Sequence, residues 1–287
     1  MKIQNKIITL FLICTGVLLT TIAGCAVVSP TTAINLLVPS DGYTKQEFSY
    51  GSHKQQALDL YLPKTSTSKV PIVFIYGGAW RTGSKANFVF VAQALTSLGH
   101  PVIVPDYRHF PEVQFPAFID DVADAISFVE QQTNTGLPKP FKEYVLMGHS
   151  AGAHTAALLA TDPRYLNQRR IKAQLTGLIA IAGPYDLPVN DPEVLPVFNT
   201  VTAQRTKPIL NVHPGMPPTL LLHGLDDTRV LPLHTKRFSA ALKKNDNTVT
   251  TRLYPGVDHT KIIGSLAAPL RFLNDSFEDI EVFLGRL

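Results

Sequence analysis

Short apolar runs alternate along this chain with stretches whose apolar residues recur at helical spacing. Val70–Tyr76 reads VPIVFIY, β-branched and apolar throughout, as a strand buried on both faces should be. Lys45–Tyr50 and Ala57–Leu62 predict an opening pair of strands. Pro101–Pro105, Glu143–Met147, Thr176–Ile181, Pro218–His223 and Thr248–Tyr254 predict further strands. Helical spacing marks Asn87–Leu98, Pro116–Gln131, Ala151–Ala160, Leu233–Lys243 and a closing helix after Ala268. In Pro116–Gln131 the apolar positions are Ile119, Val122, Ala123, Ile126 and Val129. Asp120, Asp121 and Asp124 lie on the other face or near the favourable N-terminal end. Strands alternating with helices predict an α/β fold, a mostly parallel sheet of about eight strands with helices on both faces.

The chain shows no internal repeat, so residues 41–287 are expected to form one domain. Tyr185–Pro217 breaks the rhythm. It is punctuated by Pro188, Pro192, Pro196, Pro208, Pro214 and Pro217 and has no clean period. It reads as an excursion over one end of the sheet and as part of a pocket wall.

The first 24 residues have a different pattern. Lys2 and Lys6 precede a charge-free stretch from Ile7 to Ala23, followed by small residues and Cys25. A basic start, an apolar centre and a small-residue end describe a signal peptide. By hydropathy alone an uncleaved anchor helix fits nearly as well, because the stretch is just short of the ~20 residues that span a bilayer. Ile22-Ala23-Gly24-Cys25 resembles the lipobox of bacterial lipoproteins. The resemblance implies removal of residues 1–24, lipidation of Cys25 and attachment to the cell envelope. With Ala26 following, it favours the outer membrane if the source is Gram-negative. Several acyl chains on one Cys would anchor stably, where one alone binds marginally. Residues 25–40 would then be the lipidated N-terminus and a tether.

Composition narrows the function classes. Of 287 residues, 45% are hydrophobic and 17% charged, which suits a globular protein rather than a disordered or fibrous one. The net charge of +4 comes without a Lys/Arg block, so no nucleic-acid partner is expected. Cleavage before Cys25 would remove Lys2 and Lys6 and halve that charge. It would also remove Cys14, leaving no disulfide within the mature chain. No His/Cys/carboxylate cluster suggests a metal or an organic cofactor.

One constellation carries chemistry. Gly148-His149-Ser150-Ala151-Gly152 follows the strand YVLM and opens the helix AHTAALLA. Five such residues recur by chance; the strand–turn–helix context is what a nucleophile elbow needs. A serine hydroxyl needs a base to take its proton, and the base needs an orienting carboxylate. On such a turn the partners follow in the order acid, then His. Asp226 and Asp227 stand in the turn after the strand Leu220–His223, and His259 follows the next strand. His53, His100 and His109 precede Ser150. His149 and His154 are bound to the elbow, His223 lies within a strand end, and His213 and His234 sit in exposed or loop positions. Ile75-Tyr76-Gly77-Gly78-Ala79-Trp80 follows the third strand, where backbone donors for an oxyanion are expected. Gly78, Ala79 and Ala151 are the candidates. Trp80 either lines the substrate pocket or packs under this loop.

Together these residues resemble the α/β-hydrolase superfamily, in its esterase/lipase branch with an HGGxW-type oxyanion loop. That branch includes feruloyl-esterase-like enzymes, kynurenine formamidases and prenylcysteine methylesterases. The resemblance runs from about Gln46 to Leu287. His223-Gly224-Leu225-Asp226-Asp227-Thr228-Arg229-Val230 matches the family's H-G-x-x-D-x-x-V, which makes Asp227 the acid. Asp106-Tyr107-Arg108 resembles a segment whose role in the family is to brace the oxyanion loop. Tyr76 departs from the pattern, standing where the loop usually has His. The resemblance implies a serine hydrolase acting on a small-molecule ester through Ser150, Asp227 and His259. Two alternatives stay open: amide or formamide cleavage with the same residues, and a non-catalytic envelope lipoprotein that keeps the fold as a binding module.

Overall fold

The computed structural model describes residues 30–65, 69–132, 136–137, 141–187, 192–198 and 202–287. Strands β1 (Tyr43–Ser49) and β2 (Ala57–Pro63) open the chain as an antiparallel pair. β3 (Ile72–Ile75), β4 (Val102–Pro105), β5 (Glu143–His149), β6 (Gln174–Ile181), β7 (Thr219–Gly224) and β8 (Val249–Tyr254) complete one eight-stranded sheet. Its order is β1-β2-β4-β3-β5-β6-β7-β8, and only β2 runs against the rest. This is the α/β-hydrolase arrangement that the sequence resemblance implies.

Burial follows position in the sheet. Every residue of β3 is buried, because strands cover both its edges and helices its faces. β1 is the outer strand and alternates between half-buried and exposed positions. Lys45, Gln46 and Glu47 lie on this open edge, where charge discourages pairing with another chain.

Helix α1 (Pro30–Leu37) precedes the sheet. Helices α2 (Val89–Ser97), α3 (Ala117–Gln131), α4 (Ala151–Thr161) and α5 (Arg164–Gln168) follow in the first half. The second half holds α6 (Ala203–Thr206), α7 (Leu233–Lys244), α8 (Lys261–Gly264) and α9 (Ser276–Leu284). α4 packs on β3, β5 and β6, α2 on β2 and β4, and α7 on β7 and β8. Arg169 ties the end of α5 to α3 through Asp120 and Asp124, at 2.9 and 2.6 Å.

The order of the strands also locates the site. From β3 the chain crosses to β4 on one side; from β5 it moves to β6 on the other. Adjacent parallel strands whose connections leave in opposite directions open a crevice beyond their C-terminal ends. Here the crevice lies between the loop after β3 and the turn after β5.

Three elements differ from expectation. The segment read as a tether is helical from Pro30, and Val38 behind it is buried. The closing helix does not start at Ala268: Ala268–Leu273 is a 3-10 turn around Pro269, and α9 begins at Ser276. The excursion after Tyr185 contains α6 and a 3-10 turn at Pro208–Asn211. Cys25 and the leader lie outside the described residues. Among the described residues no helix is long and apolar enough to cross a membrane.

Candidate active site

Ser150 sits between β5 and α4 with φ 56° and ψ −122°. A side chain rarely adopts this conformation, which costs on the order of 1–3 kcal/mol and persists only where the surroundings impose it. Two glycines permit the turn. A Cβ on Gly148 would strike the Gly152 carbonyl, and one on Gly152 would strike the Ile75 carbonyl of β3. The close approach of α4 to β3 therefore requires glycine on both sides of the serine. The Ser150 amide donates to the Ile181 carbonyl at 2.9 Å, tying the elbow to β6.

His259 brings its ring to this serine. Its Nδ1 lies 2.7 Å from Asp227 Oδ2 and its Nε2 lies 2.9 Å from Ser150 Oγ. A carboxylate only accepts, so Nδ1 carries the proton and Nε2 presents its lone pair to the serine hydroxyl. Ser150 and His259 are both at least nine-tenths buried, and Asp227 is 2% exposed.

Asp227 is held from four directions. Oδ1 accepts the Arg229 and Val230 amides at 2.9 and 2.8 Å. Oδ2 accepts His259 and, at 3.2 Å, His223 Nε2. Burial alone would raise its pKa. Hydrogen bonds from His223, His259 and the Val230 amide overcome that and hold the carboxyl well below the usual range. His223 lies in the strand end, as the sequence indicated, and there it supports the acid. Its Nε2–H donates to the Val230 carbonyl at 2.8 Å, which leaves Nδ1 to accept the Thr235 hydroxyl at 2.7 Å. Asp226 is exposed and accepts only the Gly256 amide, at 3.3 Å.

His149 was legible as an elbow residue but not for its contact. Its Nε2–H donates to the His259 carbonyl at 3.1 Å, with the two rings 4.9 Å apart. Burial, then the nearby His259, lowers its pKa to about 3, so the ring stays neutral. His154 is likewise lowered by burial, to about 4, and bonds the Thr206 carbonyl at 2.7 Å.

The loop after β3 borders the same cavity through Gly77, Gly78 and Ala79. Gly78 has φ 140° and a Cβ there would overlap Thr82, so the loop depends on glycine at this point. The Gly78 carbonyl accepts the Arg81 and Thr82 amides at 2.9 and 3.0 Å, which folds the loop back on itself. Ala151 begins α4, immediately after the serine.

Asp106-Tyr107-Arg108 secures this loop from β4. Asp106 Oδ1 accepts the Tyr76 hydroxyl at 2.8 Å and the Lys85 amide at 2.6 Å. The Tyr107 hydroxyl donates to the Tyr76 carbonyl at 2.9 Å. Arg108 grips the buried Asp121 with Nε and Nη2 at 2.9 and 2.7 Å. Tyr76 stacks between Tyr107 and Phe88, at 4.7 and 5.6 Å. Tyrosine in place of histidine is thus held at both its hydroxyl and its ring.

Two expectations are corrected. Trp80 does not face the cavity. It is 4% exposed and packs edge-on against Phe198 and His154, at 4.8 and 5.1 Å, beneath the loop. Its left-handed backbone, φ 57°, accompanies this placement. Nor do the described residues of the 185–217 excursion line the cavity; Phe198 instead closes over Trp80, Phe115 and Phe118.

The cavity encloses about 360 Å³, at the small end for small-molecule sites. Ser150, His149, His259 and the glycine loop form its floor. Phe88, Phe90 and Ile263 give it an apolar side, Arg229 lies at its rim, and Thr31 and Ile34 of α1 complete the wall. Among the described residues no group of three or more His, Cys, Asp or Glu is placed to hold a metal ion.

Over 271 residues the chain is 29% identical to a probable isoprenylcysteine alpha-carbonyl methylesterase of Arabidopsis thaliana. That match covers 85% of this chain and 56% of the relative. It is 32% identical to a kynurenine formamidase of Salmo salar over 162 residues, 55% of this chain and 49% of the relative. The chain therefore spans about half the length of these curated relatives. Among solved structures, a truncated carbohydrate esterase from gut microbiota shares the fold with TM-score 0.76 and 21% identity, covering 87% of this chain and 98% of that one. An inhibited esterase B from Lactobacillus rhamnosis does so with TM-score 0.73 and 19% identity, covering 89% and 91%. The profile of the BD-FAE family matches residues 58–242, a span that holds the glycines after β3, the turn at Ser150 and Asp227, and the chain belongs to that family.

Proposed function

We propose that the protein is a serine hydrolase that cleaves small carboxylic esters, with Ser150 as nucleophile, His259 as base and Asp227 as orienting acid. The observation that carries this reading is the unbroken hydrogen-bonded chain from Ser150 through His259 to Asp227 at the cavity floor. His259 Nε2 takes the hydroxyl proton as Ser150 Oγ attacks the ester carbonyl. Asp227 stabilises the imidazolium without taking its proton. Amides of Gly78, Ala79 and Ala151 stabilise the oxyanion, aided by the N-terminal end of α4. The imidazolium then protonates the departing alcohol. Water, deprotonated by His259, cleaves the acyl-enzyme and releases the acid with Ser150 restored.

The formamidase among the relatives supports a second reading, amide or formamide cleavage with the same residues. Kinetic comparison across p-nitrophenyl acetate, feruloyl esters and a formamide separates the two. Ser150→Ala should stay folded and lose p-nitrophenyl acetate hydrolysis by several orders of magnitude. Equal turnover by wild type and variant would show the assignment of Ser150 to be wrong, and no turnover above background by either would favour a non-catalytic binding module.

The location is proposed from the leader. Lipid on Cys25 would hold the enzyme at the envelope, on the outer membrane in a Gram-negative source. Five residues separate Cys25 from Thr31, so the cavity wall would lie within about 20 Å of the anchored residue. Labelled palmitate should enter the wild type and not Cys25→Ala; an unlabelled wild type contradicts the anchor.

A further inference from the structure

Helix α1 lies outside the span matched by the family profile, yet it reaches the cavity. Its half-buried positions are Thr31, Ile34 and Asn35, and buried Val38 just beyond its end continues the spacing i, i+3, i+4 and i+7. That is one face of a helix laid against a protein surface. The outer face is different: Leu36 is 78% exposed and Leu37 66%.

Side-chain hydrogen bonds fix the inner face. Asn35 Oδ1 accepts the Phe90 amide at 3.0 Å, and its Nδ2 donates to the Ala86 carbonyl at 2.8 Å. The Phe90 amide belongs to the first turn of α2, where backbone donors lack partners within the helix. Asn35 thus docks α1 by satisfying the end of another helix. Asn87 Nδ2 adds a longer bond to Thr31 Oγ1, at 3.4 Å. The segment that receives α1 also carries Phe88 and Phe90, which line the cavity beside Ile34.

We propose that α1 is a specificity wall of the active-site cavity, and that the substrate is an ester bearing an apolar chain that lies against Ile34. The proposal rests on the ester-hydrolase reading and deepens it. Ile34, Phe88, Phe90 and Ile263 offer such a chain carbon surfaces and no charge. A polar sugar or amino-acid side chain placed there would leave its hydrogen bonds unmade. Each methylene gained or lost in such a pocket shifts kcat/KM by about tenfold or more. The chain can belong to the acyl part or to the alcohol, and the two are distinguishable.

The test measures kcat/KM for two series in the full mature chain: p-nitrophenyl acetate, butyrate and hexanoate, and ethyl, butyl and hexyl acetate. Three variants are compared with wild type: Ile34→Trp fills the wall, Asn35→Ala releases the helix, and Leu36→Ser alters only the outer face. Ile34→Trp should lower the hexyl-to-short preference at least tenfold in one series, which identifies the part that carries the chain. Asn35→Ala should weaken the preference in the same series, and Leu36→Ser should match wild type. A preference within twofold of wild type in both series for Ile34→Trp overturns the proposal, as does an equal shift in Leu36→Ser. If Ile34→Trp does not fold, Asn35→Ala decides by the same criterion. A wild type that cleaves no ester in either series instead fails the hydrolase reading, with α1 still seated on the cavity.

Discussion

The two sides of the cavity are built differently. On one side, Ser150, His259 and Asp227 stand at the ends of strands or in the turns just beyond them, joined by hydrogen bonds of 2.7 and 2.9 Å. The apolar lining is assembled from other segments: α1, the Phe88–Phe90 stretch and Ile263 of α8. Strand ends are fixed by the sheet, so they can hold reacting groups to a fraction of an ångström. A wall made from separate surface segments can vary without disturbing those groups. The reacting side should therefore fail steeply when altered, and the wall should tune preference.

Asp227→Asn gives the largest expected loss in this comparison. The amide would present the wrong partner to His259 Nδ1, and kcat for p-nitrophenyl acetate should fall by about four orders of magnitude. A loss under tenfold would place the acid elsewhere. Asp106→Ala comes next. It removes the acceptor for the Tyr76 hydroxyl and the Lys85 amide and so loosens the proposed oxyanion loop without touching Ser150, His259 or Asp227. A single oxyanion donor is worth about 100-fold or more, so kcat should fall by about 10- to 100-fold, with KM changing less. An unaltered kcat would show that the loop needs no such brace.

Two buried histidines set an acid limit on stability. His149 and His154 protonate only near pH 3 and pH 4 when folded, but near 6.5 when unfolded. Between those values the unfolded chain binds more protons, so stability falls as pH drops from about 6.5 to about 4. The slope is about 1.4 kcal/mol per pH unit for each ring. Urea midpoints across that window measure it, and His154→Gln should make the slope shallower; a flat profile contradicts the neutral-ring assignment. The smallest effect belongs to Asp226→Asn. Asp226 is exposed and lies beside the acid without joining its network, so kcat/KM should stay within threefold of wild type.

The reacting side was largely legible in the sequence because glycines, a serine turn and acid-then-His order are local signals attached to strand ends. Asp106-Tyr107-Arg108 was legible through resemblance, and the structure supplies its partners. The wall was not legible. Thr31, Ile34, Asn35 and Val38 carry a helical period, but it spans only two turns and follows the leader directly, so it reads as a tether. What orders it is tertiary, a hydrogen-bonding asparagine on the end of another helix. Trp80 failed for a related reason. Its place beside the glycine loop suggested a pocket residue, but burial against Phe198 and His154 is set by segments far away in sequence.

As the proposed nucleophile, Ser150 forms the covalent intermediate. Incubation with an alkyl phosphonate p-nitrophenyl ester, followed by peptide mass spectrometry, tests it most directly. One phosphonyl group per chain is expected, on the peptide containing Ser150, with release of one equivalent of p-nitrophenol and no labelling of Ser150→Ala. A label on another residue, or equal labelling of the variant, would contradict it.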